Sequence, residues 1–477
     1  MSDPSSHGSA VPSVEQLLVQ LAERDVVIES LLARVAELEA RLAKNSQNSS
    51  KPPSADAFVK PPPRSLRKKT GRRPGKQEGE RGTRLEPRPD PDQIVTHPPA
   101  CCGSCGENLA TAPVVGEQIR QVFDVPPIQL TVVEHRVQRR RCRCGKVTEG
   151  EFPPEASAPT CYGPGVAALG IYLLGRQHLP VERAAELMGD LFGARVSTGW
   201  LSGLMPAAQS RLAGFVAAIR DRLRAAPVAH FDETGGRVGA KLCWIHVAAT
   251  GRYTLYHLAA GRGKAAIDAG GVLPDFGGVA VHDGLTSYRQ YDVEHALCGA
   301  HHLRELAGIG EATGQDWPTR LADLLVEIHV GVEAAKANQA TALTARRLAG
   351  YQRRYRSLIG EGKKLNPPPP RTGKRGRPKL GLAGSLLRRL DDYQADVLRF
   401  ATDFSVDFDN NQAERDIRMV KLQQKISGGW RSEQGAKAFL DVRSYLSTAR
   451  KHNQNALDVL RQLFTGPAWI PAAGAAP

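Results

Sequence analysis

The chain has 477 residues, 41% of them hydrophobic, which is too long for one ordinary domain and apolar enough to bury a core over most of its length. Its 64 basic and 49 acidic side chains give a formal charge of +15, which makes a polyanion such as nucleic acid the leading class of partner beside a merely soluble basic protein. The longest apolar stretch, around "GVAALGIYLLG", is shorter than the roughly 20 residues a membrane span needs, and "MSDPSSHGSAVPS" lacks the basic and apolar regions of a signal peptide. A cytoplasmic protein without a membrane partner is expected.

Val14, Leu21, Ile28, Val35 and Leu42 recur every seventh residue, and Leu17, Leu31 and Leu38 fill the intervening series that Arg24 interrupts. This heptad predicts a parallel coiled coil over 1–45 that pairs two copies of the chain; an amphipathic helix packed on its own protein is the other reading. "NSQNSSKPPSAD" ends it. Lys51 to Arg84 then carries eleven basic and three acidic residues with few aliphatic ones, so 46–90 reads as a basic flexible linker. Such cations neutralise phosphates without reading sequence.

Five of the eight cysteines lie between Cys101 and Cys144, which suits a local metal site in a reducing compartment better than a disulfide framework. In "HPPACCGSCGENL" Cys102 and Cys105 have the spacing of a zinc knuckle, and in "VQRRRCRCGKV" Cys142 and Cys144 supply a second pair. Four thiolates suit one closed, structural Zn²⁺ in a module over 91–155, against a reduced loop without metal. The second pair is one residue tighter than usual, and Cys101 competes as a ligand. From 156 to 225 the chain reads as helices. "LPVERAAELMGDLFG" ends at Gly193 and Ser197 caps the next helix, a helix-turn-helix-like pattern that paired core helices also produce.

After Pro227 the periodicity changes. "PVAHFDET", "KLCWIHVAAT" and "YTLYHLAAG" are strand-like runs, "KAAIDAGGVL" a short helix, and "GGVAVHDG" a buried strand that ends on a carboxylate. Three strands, a helix, a strand, a helix and a further strand is the order of the ribonuclease-H-like fold, in which the first and fourth strands are neighbours. Asp232 and Asp283 then face each other across one groove, where a divalent cation offsets their repulsion. In "NNQAERDIRMVK", Glu414, Arg418 and Lys421 share one helix face, so the carboxylate reaches a metal beside DNA-holding cations, Arg415 among them; a surface ion pair of Glu414 with Arg418 is the plain alternative. About 130 residues separate Asp283 from Glu414, so a helical insertion is expected over about 308–402. Inside it, Arg375 and Arg377 in "RGRP" form a minor-groove motif or a solvated loop.

"HFDET", "VHDGLTSY", "CGAHHLREL", "NNQAERDIR" and "SYLSTARKH" resemble the successive motifs of the IS sixty-six family of bacterial insertion-sequence transposases. The heptads, "NSQNSSKPPSAD", the cysteine cluster and "YGPGVAALGIYLLGRQHLPVERAAEL" follow in the family's order. The resemblance implies a multidomain α+β protein with a ribonuclease-H-like domain over 226–465 and a tail at 466–477. It implies Asp232, Asp283 and Glu414 as a DDE triad with two Mg²⁺ or Mn²⁺, which cleaves the ends of an element and joins them to target DNA. His301 and Arg304 are expected helpers near the scissile phosphate, with His301 equally readable as a structural histidine. The implied partners are double-stranded DNA (terminal inverted repeats and target), a second or further copy of the chain, and accessory element-encoded proteins, in a bacterial cytoplasm beside the nucleoid. Two other classes remain open: a non-catalytic zinc-containing DNA-binding regulator and a ribonuclease-H-like structure-specific nuclease.

Overall fold

The computed structural model describes residues 13–42, 85–369 and 380–472. Most of the expected basic linker and the "RGRP" pair Arg375 and Arg377 lie outside the described residues. Two units separate: Arg64–Thr131, and Met1–Pro63 with Val132–Pro477. In the first, the described chain turns at its cysteines, where Cys101 bridges Asn108, and Arg88 and Gln121 exchange two 2.7 Å hydrogen bonds.

The larger unit opens with helix α1 (Val14–Leu42), which is the expected heptad segment. A short hairpin, β1 (Arg139–Arg141) and β2 (Val147–Glu149), pairs Arg139 with Glu149 across its open end at 3.2 Å. Helix α2 (Pro164–Ile171) runs into a π-helical turn at Tyr172–Arg176, and α3 (Val181–Phe192), α4 (Thr198–Gln209) and α5 (Ala213–Arg224) follow. The punctuation read from sequence is present. Gly193 takes a left-handed conformation after α3, and the Ser197 hydroxyl accepts from the Trp200 N–H at the start of α4. The buried side of α4 is Leu201, Leu204 and Ala208, and its length carries no basic residue.

The sheet comprises β3 (Val228–Val238), β4 (Lys241–Ala249), β5 (Thr254–Ala259), β6 (Val279–His282) and β7 (Glu294–Leu297), in the order β5-β4-β3-β6-β7. β3, β4 and β5 form an antiparallel meander; β6 then runs parallel to β3 and β7 parallel to β6. Helix α6 (Lys264–Asp268) lies in the crossing from β5 to β6. A helix expected between β6 and β7 is absent: the link holds only the 3₁₀ turn Tyr288–Gln290. Asp283 and Gly284 spend the start of this link on a turn, and Thr286 and Ser287 after it favour turns over helix.

Alternation along the strands divides the core. Ile245, Val247 and Ala249 of β4 pack under α13 (Asn411–Ser427) and the start of α14 (Glu433–Lys451). Phe231, Ala248 and Leu255 face the larger core, which also takes in α2–α5, the rest of α14 and α15 (Ala456–Thr465). Between β7 and α13 the described chain is helical: α7 (Gly299–Thr313), α8 (Trp317–Ala337), α9 (Ala345–Leu365), α10 (Leu382–Asp392), α11 (Gln394–Val397) and α12 (Arg399–Thr402). These helices build their own core around Trp317, Tyr355 and Leu387, and the expected insertion start near 308 falls inside α7. No helix among the described residues is long and apolar enough to cross a membrane.

Candidate active site

The register of the parallel pair decides where the two aspartates lie. Val228 faces Val279, Ala229 faces Ala280 and His230 faces Val281. The same offset, carried two positions past the last pair, aligns Asp232 with Asp283 just beyond the end of β6, and the Asp283 charge is close enough to raise the Asp232 pKa. The turn after β6 is built for this. Asp283 Oδ1 accepts from the Leu285 N–H at 2.9 Å, and Gly284 adopts φ +97° while donating its N–H to His282 Nδ1 at 3.0 Å.

Glu414 arrives from the first turn of α13, and one buried residue fixes that helix. Asn410 donates its side-chain amide to the Phe231 carbonyl at 2.8 Å, meets His230 Nδ1 at 3.0 Å through Oδ1, and gives its backbone N–H to Cys298 Sγ at 3.2 Å. The start of α13 is thereby tied to β3 and to the head of α7. At that head Gly299 has no room for a Cβ, which would lie 2.4 Å from the Phe408 ring. Helix α7 in turn presents His301 Nδ1 at 3.8 Å and Arg304 Nη2 at 3.6 Å from Glu414 Oε1.

Negative charge is concentrated here and is only partly offset by Arg304, Arg418 and Lys421 beside Glu414. Asp232 is pushed well above the usual carboxylate range by burial and then by the charges of Glu233, Asp283 and Glu414. Burial also raises Asp283, against the Leu285 N–H, and raises Glu414, against Arg304. Glu414 Oε1 is buried with no hydrogen-bond partner, as is His301 Nδ1. Burial and the neighbouring Arg304 hold His301 down at about 3, so its imidazole is neutral. Three half-buried carboxylates, two of which raise the pKa of the third, offer oxygen donors of the kind a hard divalent cation takes. Among the described residues the set whose ligand atoms all come within 4.8 Å of one another is Cys298, His301 and Glu414, not the three carboxylates; burial pushes the Cys298 thiol up to about 12, away from the thiolate a metal requires.

The model of the family described as "Transposase IS66 family" matches residues 159–438, more than half of the chain. The chain belongs to the IS66 transposase family. As such it is a transposase-type enzyme that binds DNA. The "zinc-finger binding domain of transposase IS66" matches residues 99–145, which include all four expected cysteine ligands, so zinc binding is a property of this segment. A family of unknown function matches residues 6–86. No curated protein matches the chain.

The two cysteine pairs of this IS66 member each sit on a tight turn. Gly106 (φ +77°) closes the first by donating to the Cys102 carbonyl at 3.0 Å, and Gly145 (φ +89°) closes the second by donating to the Cys142 carbonyl at 2.9 Å. Cys102 is lowered from the usual thiol range by the backbone N–H groups of Cys105 and Ser104, and Cys142 by that of Cys144. Lowered thiols are better thiolate ligands, which fits both knuckles to zinc.

The expected DNA contacts on α13 divide. Arg418 and Lys421 lie on the Glu414 side, and both draw its pKa downward against burial. Arg415 sits a residue round the helix, exposed and bonded to Gln412 Oε1 at 2.9 Å. Two further carboxylates escaped sequence reasoning. Glu233 is raised to about 7 by burial and by Asp283, and accepts from Tyr288 Oη at 2.9 Å. Glu305 would be raised by burial, but His302 and Arg389 outweigh it and hold it at about 2. The "DE" of "HFDET" signals the first: strand alternation turns Glu233 to the face opposite Asp232 within β3.

Proposed function

We propose that the chain is a DDE transposase with a ribonuclease-H-like catalytic core, which cleaves the ends of an insertion sequence and joins them to target DNA. The observation that carries this is the gathering of three half-buried carboxylates, Asp232 in β3, Asp283 just past the end of the neighbouring parallel strand β6 and Glu414 in the first turn of α13, with Asp283 and Glu414 close enough to raise the pKa of Asp232. The strand order β5-β4-β3-β6-β7, an antiparallel meander followed by two parallel strands, supports the fold reading.

Asp232, Asp283 and Glu414 would hold two Mg²⁺ or Mn²⁺. Such ions make an attacking water or DNA 3′-hydroxyl a better nucleophile and stabilise the leaving oxygen. The residues of the chain supply the rest. Asn410 and the Gly284 turn fix the carboxylates before DNA arrives. Arg304, within ion-pair range of Glu414, attracts a phosphate to the same place, and Arg418 and Lys421 extend that attraction along α13. Neutral His301 has a free ring nitrogen that can hold a proton beside the reacting phosphate. The zinc module and the α3–α4 pair would read the terminal repeats. With no cation on α4, backbone contact would fall to the linker and to the arginines Arg139–Arg141. Helix α1 would pair two copies as a coiled coil so that two DNA ends are processed together. Accessory proteins of the element and a location at the bacterial nucleoid belong to the same reading.

The test is Mg²⁺-dependent cleavage and joining of labelled DNA carrying the flanking element ends, wild type beside Asp283→Asn. Joined product from wild type alone, with equal DNA binding by both, is expected. Binding without cleavage by either protein would favour a regulator, and cleavage without joining a structure-specific nuclease.

A further inference from the structure

Helix α9 sorts its cations into two sets. Arg354 is spent on Glu327 in a bidentate pair at 2.7 and 2.8 Å, Lys363 on Asp391, and Arg347 on the Tyr351 hydroxyl at 3.0 Å. Arg346, Arg353, Arg356 and Lys364 are exposed and have no acidic or hydrogen-bonding partner among the described residues. Their spacing is not random. Positions 346, 353 and 364 differ by seven and eleven residues, so they fall within about 20° of one line along the helix, and 356 lies within about 80° of it. The opposite side is anchored by Tyr351, Tyr355, Leu358 and Ile359 in the insertion core. The free cations therefore point outward from a rigid, 21-residue helix that is capped by Thr344.

We propose that this face of α9 is a second duplex-binding surface, which holds the DNA backbone outside the carboxylate site. From 346 to 364 the helix rises about 27 Å, close to the length of eight base pairs at 3.4 Å each. Gly350 and Ser357 lie between the cations on the same face, so no bulky side chain stands between helix and phosphates. The one acid of α9, Glu361, is paired with Arg320 at 2.8 Å. The stripe thus presents positive charge without local neutralisation. The surface rests on the DNA binding of the family but does not depend on the carboxylate chemistry.

The test is fluorescence anisotropy of a labelled duplex of arbitrary sequence, longer than one helical turn, titrated with the full-length protein over a series of salt concentrations. The variant Arg346→Gln, Arg353→Gln, Arg356→Gln, Lys364→Gln should bind more weakly, with a log K against log salt slope shallower by about two to four, at roughly 0.9 for each phosphate that is no longer neutralised. A second variant, Arg346→Lys, Arg353→Lys, Arg356→Lys, keeps the charge and should keep the wild-type slope. Equal slopes for wild type and the glutamine variant would overturn the surface. So would a lysine variant that falls as far as the glutamine one, because the loss would then not be electrostatic. A wild type that does not bind the duplex at all would overturn DNA binding by this chain and the surface together.

Discussion

Asp232 is where the unbalanced charge converges, and its environment makes a signed prediction. Its folded pKa lies well above its unfolded value, as those of Asp283 and Glu414 lie above theirs, and Glu233 beside them is raised to about 7. Groups raised on folding contribute stability below their unfolded value, near pH 4, and lose it as pH rises through the folded one. The magnesium-free protein should therefore lose thermal stability as pH climbs from about 5 to about 8, and a divalent cation, which binds the ionised set, should restore more of it at the upper end. Scanning calorimetry across that range should show the Mg²⁺-induced rise in Tm growing with pH. Asp232→Asn should raise Tm in magnesium-free buffer at the alkaline end and abolish most of the Mg²⁺ response. If that variant leaves both unchanged, the carboxylates do not form a shared cation site.

At the scale of elements, the position of α13 decides whether Glu414 meets the aspartates. Beyond Asn410, the helix is held from below by Asp416, whose Oδ2 accepts from Lys451 Nζ at 2.7 Å and from Thr254 Oγ1 at 3.1 Å. Lys451 also donates to the Thr250 and Tyr253 carbonyls at 2.8 and 2.9 Å, so one ammonium group ties α13, the β4–β5 turn and the end of α14. Lys451→Met leaves Asp416 buried and uncompensated and should cost about 3–5 kcal/mol in chemical denaturation. Adding Asp416→Asn should recover part of that loss, a coupling that a purely volumetric defect would not show. These ties also mark the limit of legibility in the sequence. Helix ends at Gly193 and Ser197, the meander, and Asp283 at the end of β6 follow from local spacing and turn chemistry, whereas Asp232, expected at a strand end, lies inside β3 because the antiparallel pairing with β4 carries that strand on to Val238. Asn410 with Phe231 and Lys451 with Thr250 are partners about 180 and 200 positions apart, and no local pattern points from one to the other. The helix expected between β6 and β7 failed for a local reason: Asp283 and Gly284 turn the chain just past β6, and "GLTSY" holds only Leu285 as a strong helix former.

For the molecule as a whole, α1 is the element that a single chain leaves unfinished. Leu21 is 55% exposed, Ile28 52%, Leu31 59% and Val35 50%, and they belong to the two heptad series that would face a partner helix. A row of exposed aliphatic side chains at a 3.5-residue period is stable in water when a second helix covers it, at about 25 cal/mol per Å² of apolar surface removed. Two copies joined there would bring two carboxylate sites and two sets of DNA contacts into one complex, the arrangement that joining paired ends requires. The full-length protein should therefore sediment as a dimer or a larger assembly. The variant Ile28→Glu, Val35→Glu places like charges in the seam and should yield a monomer. Because the carboxylates and α9 lie far along the chain from these positions, that monomer should keep its Mg²⁺-induced rise in Tm and its binding to a single duplex. Its loss should fall on coupled joining of two ends, measured as joined product per cleaved end. A monomeric wild type, or a variant that joins paired ends as well as wild type, would remove the zipper from the mechanism.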